Sequence, residues 1–137
     1  GVVGHPQRRT RELLDAQAAD IIMPDLSWCG GLTEGRKIAA MADTAYLPVT
    51  CHDTIGPVAL WAATHLLMHV PNALMMETVR SYIDGWYDDV VTDRITAADG
   101  HLSLSDRPGL GTRLRDDFTD RPNARVEVTS EENLKAW

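Results

Sequence analysis

Three side chains able to hold or move a proton recur at nearly equal intervals: Asp25, His52 and Glu77, 27 and 25 positions apart. Each closes a short apolar run and precedes a loop. A carboxylate beside an imidazole stabilises the imidazolium form and fixes the ring's tautomer and orientation. A second carboxylate can face a developing negative charge if it is protonated or bridged through another donor. Desolvation is the usual means of keeping such an acid neutral at pH 7. An acid, an imidazole and a second acid at one rim make a proton-transfer set.

Such a set must be positioned by strands. Ala19–Met23 is a brief continuous apolar run closed by Pro24-Asp25, as expected of a strand buried on both faces in a parallel sheet. Pro48–Cys51 predicts a second strand ending at His52-Asp53, and Ala73–Met76 a third ending at Glu77. Helices are expected before and between them. One runs over 10–17. A second starts at Glu34, with Thr33 as N-cap and Ile38, Met41, Ala42 and Ala45 on one face. A third starts at Pro57, a residue suited to the first helical position, and stops at Pro71-Asn72. The order α-β-α-β-α-β implies parallel strands with right-handed crossovers. One βα unit of a barrel takes about 30 residues, from ~250 residues over eight units. Three polar residues at that period would share the C-terminal rim, where parallel α/β folds bind ligands.

Beyond Glu77 the pattern changes. Ile95 and Ala97 face Leu102 and Leu104 across Asp99-Gly100, a dipeptide suited to a type I′ hairpin. Pro108-Gly109-Leu110-Gly111 reads as a turn-rich strap. Val126–Val128 is a short strand candidate, and Thr129 and Glu132 form a weak capping box. The expected divisions are an N-terminal edge at 1–9, a partial barrel at 10–78, and a hairpin and strap at 79–137.

Plainer roles fit the same residues. Asp25 could cap a loop or the following helix, and His52-Asp53 could be a surface turn pair. Trp28 could contact substrate from the rim loop, although Trp as often packs. Met75 and Met76 most simply fill the core. His65 and His69 stand four apart, as zinc ligands do, but without the intervening Glu or a third ligand they read as packed helix histidines.

The bulk numbers restrict partners. The 137 residues, 44% hydrophobic and 24% charged, suit one globular domain. A formal charge of −7 argues against nucleic acid or an anionic membrane as partner. The run Val58–Val70 is interrupted by Thr64, His65 and His69 and is too short to span a bilayer. Gly1–Arg11 lacks the apolar core of a signal peptide. Two cysteines, Cys29 and Cys51, with no paired spacing favour a reducing compartment. The expectation is a cytoplasmic α/β protein.

Several motifs together resemble the mandelate racemase group of the enolase superfamily, most closely its acid-sugar (galactonate-type) dehydratases. They are Met23-Pro24-Asp25-Leu26-Ser27, Gly30-Gly31-Leu32-Thr33-Glu34, Lys37-Ile38-Ala39 and Cys51-His52-Asp53 followed by Gly56-Pro57. Gly85-Trp86-Tyr87, Asp99-Gly100 and Pro108–Gly111 are similar to the same group's tail. The match runs over about residues 10 to 128. It implies the C-terminal part, about strands 6 to 8, of a (β/α)8 barrel with a hairpin and strap. It also implies that Asp25 and His52 form a catalytic dyad, and that Glu77 hydrogen-bonds an enediolate. Members of that family bind Mg²⁺ through acids on strands three to five, which would lie outside this chain, so no metal ligand is expected here. The implied reaction is abstraction of the proton α to a carboxylate, most simply to dehydrate a sugar acid. The alternatives are racemisation of a 2-hydroxy acid and a non-catalytic fragment. The expected partners are a small carboxylate substrate and either further copies of the chain or the missing barrel strands.

Overall fold

A computed structural model describes residues 7–127. The Val126–Val128 strand and the Thr129/Glu132 capping box fall wholly or partly outside them. Helix α1 spans Gln7–Asp15, so it begins before Thr10. It is followed by α2 (Leu26–Cys29), α3 (Gly31–Thr44), β1 (Val49–Cys51), α4 (Pro57–His69) and β2 (Ala73–Met76). Then come α5 (Arg80–Ile83), α6 (Tyr87–Val90), the hairpin strands β3 (Thr96–Ala98) and β4 (His101–Ser103), and a 3₁₀ turn at Phe118–Asp120.

The first expected strand survives as an extended segment with one parallel bridge, Ile22 to Val49. The reason is chemical. The amide of Ile22 donates to Pro48, Thr50 donates to Ile22, and His52 donates to the carbonyl of Pro24. The bond needed to complete the next bridge would come from the nitrogen of Pro24, which carries no hydrogen. The ladder is therefore one-sided from that point.

β1 lies between this segment and β2, and all three run parallel. The pairing of β1 with β2 is irregular: Val49 faces Ala73, but Cys51 faces Met76, so β2 carries one extra residue. Thr50 anchors the irregularity by donating its hydroxyl to the carbonyl of Met75 at 2.6 Å.

Two apolar clusters hold the layers together. One joins Ile22, Leu26, Ile38, Ala39, Ala42, Val49, Cys51, Ala63 and Leu66 beneath α3 and α4. The other joins Leu60, Trp61, Ile83, Tyr87 and Ile95, and so ties the tail to α4. Half-buried Met76 touches both clusters. Met75, expected in the core, is instead 64% exposed, because the free side of β2 has no covering element among the described residues.

Helix α3 starts at Gly31, with Gly30 as its N-cap at φ 102°, so Thr33 lies inside the helix. Its buried face is Gly35, Ile38, Ala39 and Ala42; Ala45 is exposed. Gly35 is needed for close approach, since a Cβ there would stand 2.4 Å from Leu26 Cδ2 and 3.0 Å from Leu66 Cδ2.

In the tail, Thr96–Ala98 pairs antiparallel with His101–Ser103. Asp99 and Gly100 take φ 50° and 76°, as a type I′ turn requires. The strap lies on α4: Trp61 Nε1 donates to the carbonyl of Asp93 at 3.2 Å, and His65 bonds the carbonyl of Leu110 at 2.9 Å. No helix among the described residues is long and apolar enough to cross a membrane.

Candidate active site

The strand registers decide which side chains meet. Ile22 opposite Val49 places Asp25, three positions on, opposite His52. Cys51 opposite Met76 places Glu77 next to His52 on the other side. Without the extra residue in β2, Met76 would occupy that position, because a one-residue slip reverses the face each side chain occupies. Three neighbouring strand ends thus bring Asp25, His52 and Glu77 together.

Asp25 is 1% exposed and uses both oxygens. Oδ1 accepts the amide of Ser27 at 2.8 Å, which caps α2, and Oδ2 lies 2.8 Å from His52 Nδ1. Capping and histidine contact are therefore not rival roles for Asp25. One carboxylate performs both. Binding of Nδ1 as donor to Asp25 leaves Nε2 as the nitrogen free to take or give a proton. Nε2 lies 3.9 Å from Glu77 Oε2 and 3.4 Å from Thr54 Oγ1, and the His52 side chain is 22% exposed. Glu77 Oε2 also accepts the amide of Asp53 at 3.3 Å.

Asp53 was not singled out by the sequence, yet it is completely buried. Its Oδ2 accepts the hydroxyls of Thr78, at 3.2 Å, and Tyr87, at 3.4 Å. Its Oδ1 has no hydrogen-bond partner of good geometry. Burial pushes the Asp53 carboxyl above its ordinary value; the hydroxyls of Thr78 and Tyr87, and the nearby amides of Ile55 and Gly56, pull the other way. Burial, with Asp53 alongside, pushes the Tyr87 phenol up in turn. The Cys51 thiol, buried under the rim, is pushed up to about 12, first by burial and then by Cys29 and Asp25. It stays neutral and is no nucleophile.

Trp28 stands on α2, 68% exposed, three residues from Asp25. His69 is exposed and His65 bonds the carbonyl of Leu110, and no third ligand joins the histidine pair among the described residues. A cleft of about 1000 Å³ lies beside the rim and is lined by Leu26, Leu32, Ile55, Pro57, Trp86 and Phe118 among others. Asp25, His52 and Glu77 do not line it. Among the described residues no group of three or more His, Cys, Asp or Glu could hold a metal ion. The rim acids are already engaged: Asp25 by Ser27 and His52, Glu77 by Asp53. These residues do not fit a divalent cation.

The model of the Enolase C-terminal domain-like family matches residues 5–118. Over 104 residues the chain is 41% identical to the D-xylonate dehydratase of Haloferax volcanii, a match covering 76% of this chain and 25% of that protein. A solved structure described as an enolase protein, from environmental shotgun sequencing of the Sargasso Sea, superposes with a TM-score of 0.81 at 43% identity. It covers 88% of this chain and 32% of that one. A Burkholderia xenovorans structure described as an L-alanine-DL-glutamate epimerase bound to magnesium and fumarate gives 0.76 at 30% identity, over 85% of this chain and 28% of that one. The chain spans about a quarter to a third of the length of these relatives. Its parallel strand ends, crossover helices and hairpin tail are the C-terminal segment of a (β/α)8 barrel, and the chain belongs to the enolase C-terminal domain-like family.

Proposed function

We propose that this segment supplies the acid/base side of a sugar-acid dehydratase. The observation that carries the reading is the 2.8 Å contact between His52 Nδ1 and Asp25 Oδ2, with Nε2 turned toward Glu77 across 3.9 Å. Asp25 orients the ring and stabilises its protonated form. His52 moves the proton, taking it from the carbon α to a carboxylate or delivering it to the departing hydroxyl. Glu77 would hydrogen-bond an enediolate oxygen, and Trp28 would contact substrate from the same rim. The similarity to D-xylonate dehydratase favours a sugar acid as substrate. Mg²⁺ would serve a complete barrel by neutralising the enediolate, on ligands outside these residues.

Two readings share these groups. The epimerase neighbour favours proton return to the same carbon instead of loss of hydroxyl. The uncovered side of β2, with Leu74 48% and Met75 64% exposed, favours a chain that works only when further strands complete it. The test is a Mg²⁺-dependent assay of D-xylonate and D-galactonate, run on this chain alone and on a full-length protein that carries it. Dehydration by the full-length protein that His52→Ala abolishes, with Mg²⁺ affinity unchanged, supports the proposal. Loss of metal binding in that variant overturns the role given to His52. Epimer formation without keto product selects the racemase reading. Activity of the short chain alone excludes the need for further strands.

A further inference from the structure

Among the described residues, Asp53 is the one fully buried carboxylate at the rim that the proposed chemistry does not use. Three observations bear on it. Its amide donates to Glu77 Oε2 at 3.3 Å. Its side chain accepts from Thr78, the residue after Glu77, at 3.2 Å, and from Tyr87 at 3.4 Å. Tyr87 is itself immobilised, 2% exposed and edge-on to Trp86 with ring centroids 4.6 Å apart. Asp53 therefore grips the end of β2 at two successive residues, while its peptide bond joins it directly to His52. A buried carboxylate whose Oδ1 has no hydrogen-bond partner of good geometry is costly to keep.

We propose that Asp53 is a positioning residue for the His52–Glu77 pair: anchored by Thr78 and Tyr87, it holds its own amide on Glu77 and so fixes the gap across which substrate is handled. The proposal rests on the dyad reading above. It makes the tail part of the site, because the anchoring phenol comes from α6, beyond the last barrel strand. Glu77 is half exposed and would otherwise choose among rotamers. A carboxylate held by a fixed amide presents its other oxygen in one direction, and displacement of a reacting group by about 1 Å can cost on the order of 100-fold in rate.

The experiment compares Asp53→Asn, Tyr87→Phe and His52→Asn in a full-length protein carrying this chain, with D-xylonate and Mg²⁺. Asp53→Asn keeps the shape and the backbone amide but weakens acceptance from the two hydroxyls. The expected result is a kcat about 10- to 100-fold lower, the range typical of groups that orient a reacting residue, with KM within about twofold. Tyr87→Phe is expected to lower kcat in the same sense but less, because Thr78 remains. A crystal structure of Asp53→Asn should show the Glu77 carboxylate released from the residue-53 amide, a readout that does not depend on turnover. Unchanged kcat in Asp53→Asn, or Glu77 held as before, overturns the proposal and leaves the dyad intact, provided His52→Asn is inactive. Full activity of His52→Asn overturns the dyad itself.

Discussion

His52 Nδ1 and Asp25 Oδ2 sit 2.8 Å apart, while the other oxygen of Asp25 caps the helix that follows. Asp25→Asn separates the two duties. The amide oxygen still caps α2, so the thermal midpoint should change little. The amide nitrogen, placed against Nδ1, would force a proton onto Nε2 and remove the base. Turnover should fall by roughly 10⁴-fold, the scale seen where an imidazole is locked in the wrong tautomer. Steady-state kinetics beside a melting curve checks both halves.

The register of β2 is a second point of attack. Thr50→Val deletes the 2.6 Å bond to the Met75 carbonyl without changing side-chain size. The expected loss is about 1 kcal/mol of stability. A loss of turnover larger than that stability change implies is also expected, since the extra residue brings Glu77 beside His52. Equal turnover in the variant would show that the pairing holds without Thr50.

Gly35→Ala tests the packing beneath the rim. The added methyl would meet Leu26 Cδ2 at 2.4 Å, and Leu26 adjoins Asp25. Overpacking of this kind costs about 1–3 kcal/mol. Denaturant titration should show a lower midpoint with an unchanged slope.

Burial raises the Asp53 carboxyl above its ordinary value, so the folded state holds that proton more tightly than the unfolded chain. The contribution to stability is complete below that value and is lost as pH rises through the raised folded value. Asp53→Asn has no proton to lose there. Relative to Asp53→Asn, the parent should become progressively less stable on going from about pH 4 upward, a trend that paired melting curves would reveal. A constant difference across pH would mean that Asp53 titrates normally.

Cys51, fully buried with its thiol pushed up to about 12 by that burial, should resist iodoacetamide at pH 8 in the native protein. Modification should require denaturant and follow global unfolding, as mass spectrometry of quenched samples can show.

The sequence made the strand ends legible because the signal is local: apolar runs closed by Asp25, His52 and Glu77, with Gly56-Pro57 and Asp99-Gly100 marking a helix start and a hairpin. The spacing anticipated their proximity, but the pairing geometry behind it was not legible. The extra residue in β2 depends on how two strands seat against one another, and no residue in Ala73–Met76 announces it. Asp53 and Tyr87 were missed for a related reason: they are 34 residues apart, and only the folded tail joins them. Asp beside His reads as a polar turn until its burial is known. The short helix α2 was hidden between Asp25 and Gly30, where four residues carry no periodicity. Met75 was misplaced because an apolar side chain declares affinity for a core, not the presence of a neighbouring strand.

The bond from Tyr87 to Asp53 has a consequence for the order of synthesis. The strand ends that carry Asp25, His52 and Glu77 leave the ribosome before the phenol that secures the loop between the last two. A nascent chain stopped at Thr78 contains all three proton-handling groups, yet its Asp53 has lost the tail that seals it from water. The charge of Asp53 stays hydrated until Tyr87 and its aromatic neighbours arrive. The back of the rim is thus closed by a segment made after all three strand ends.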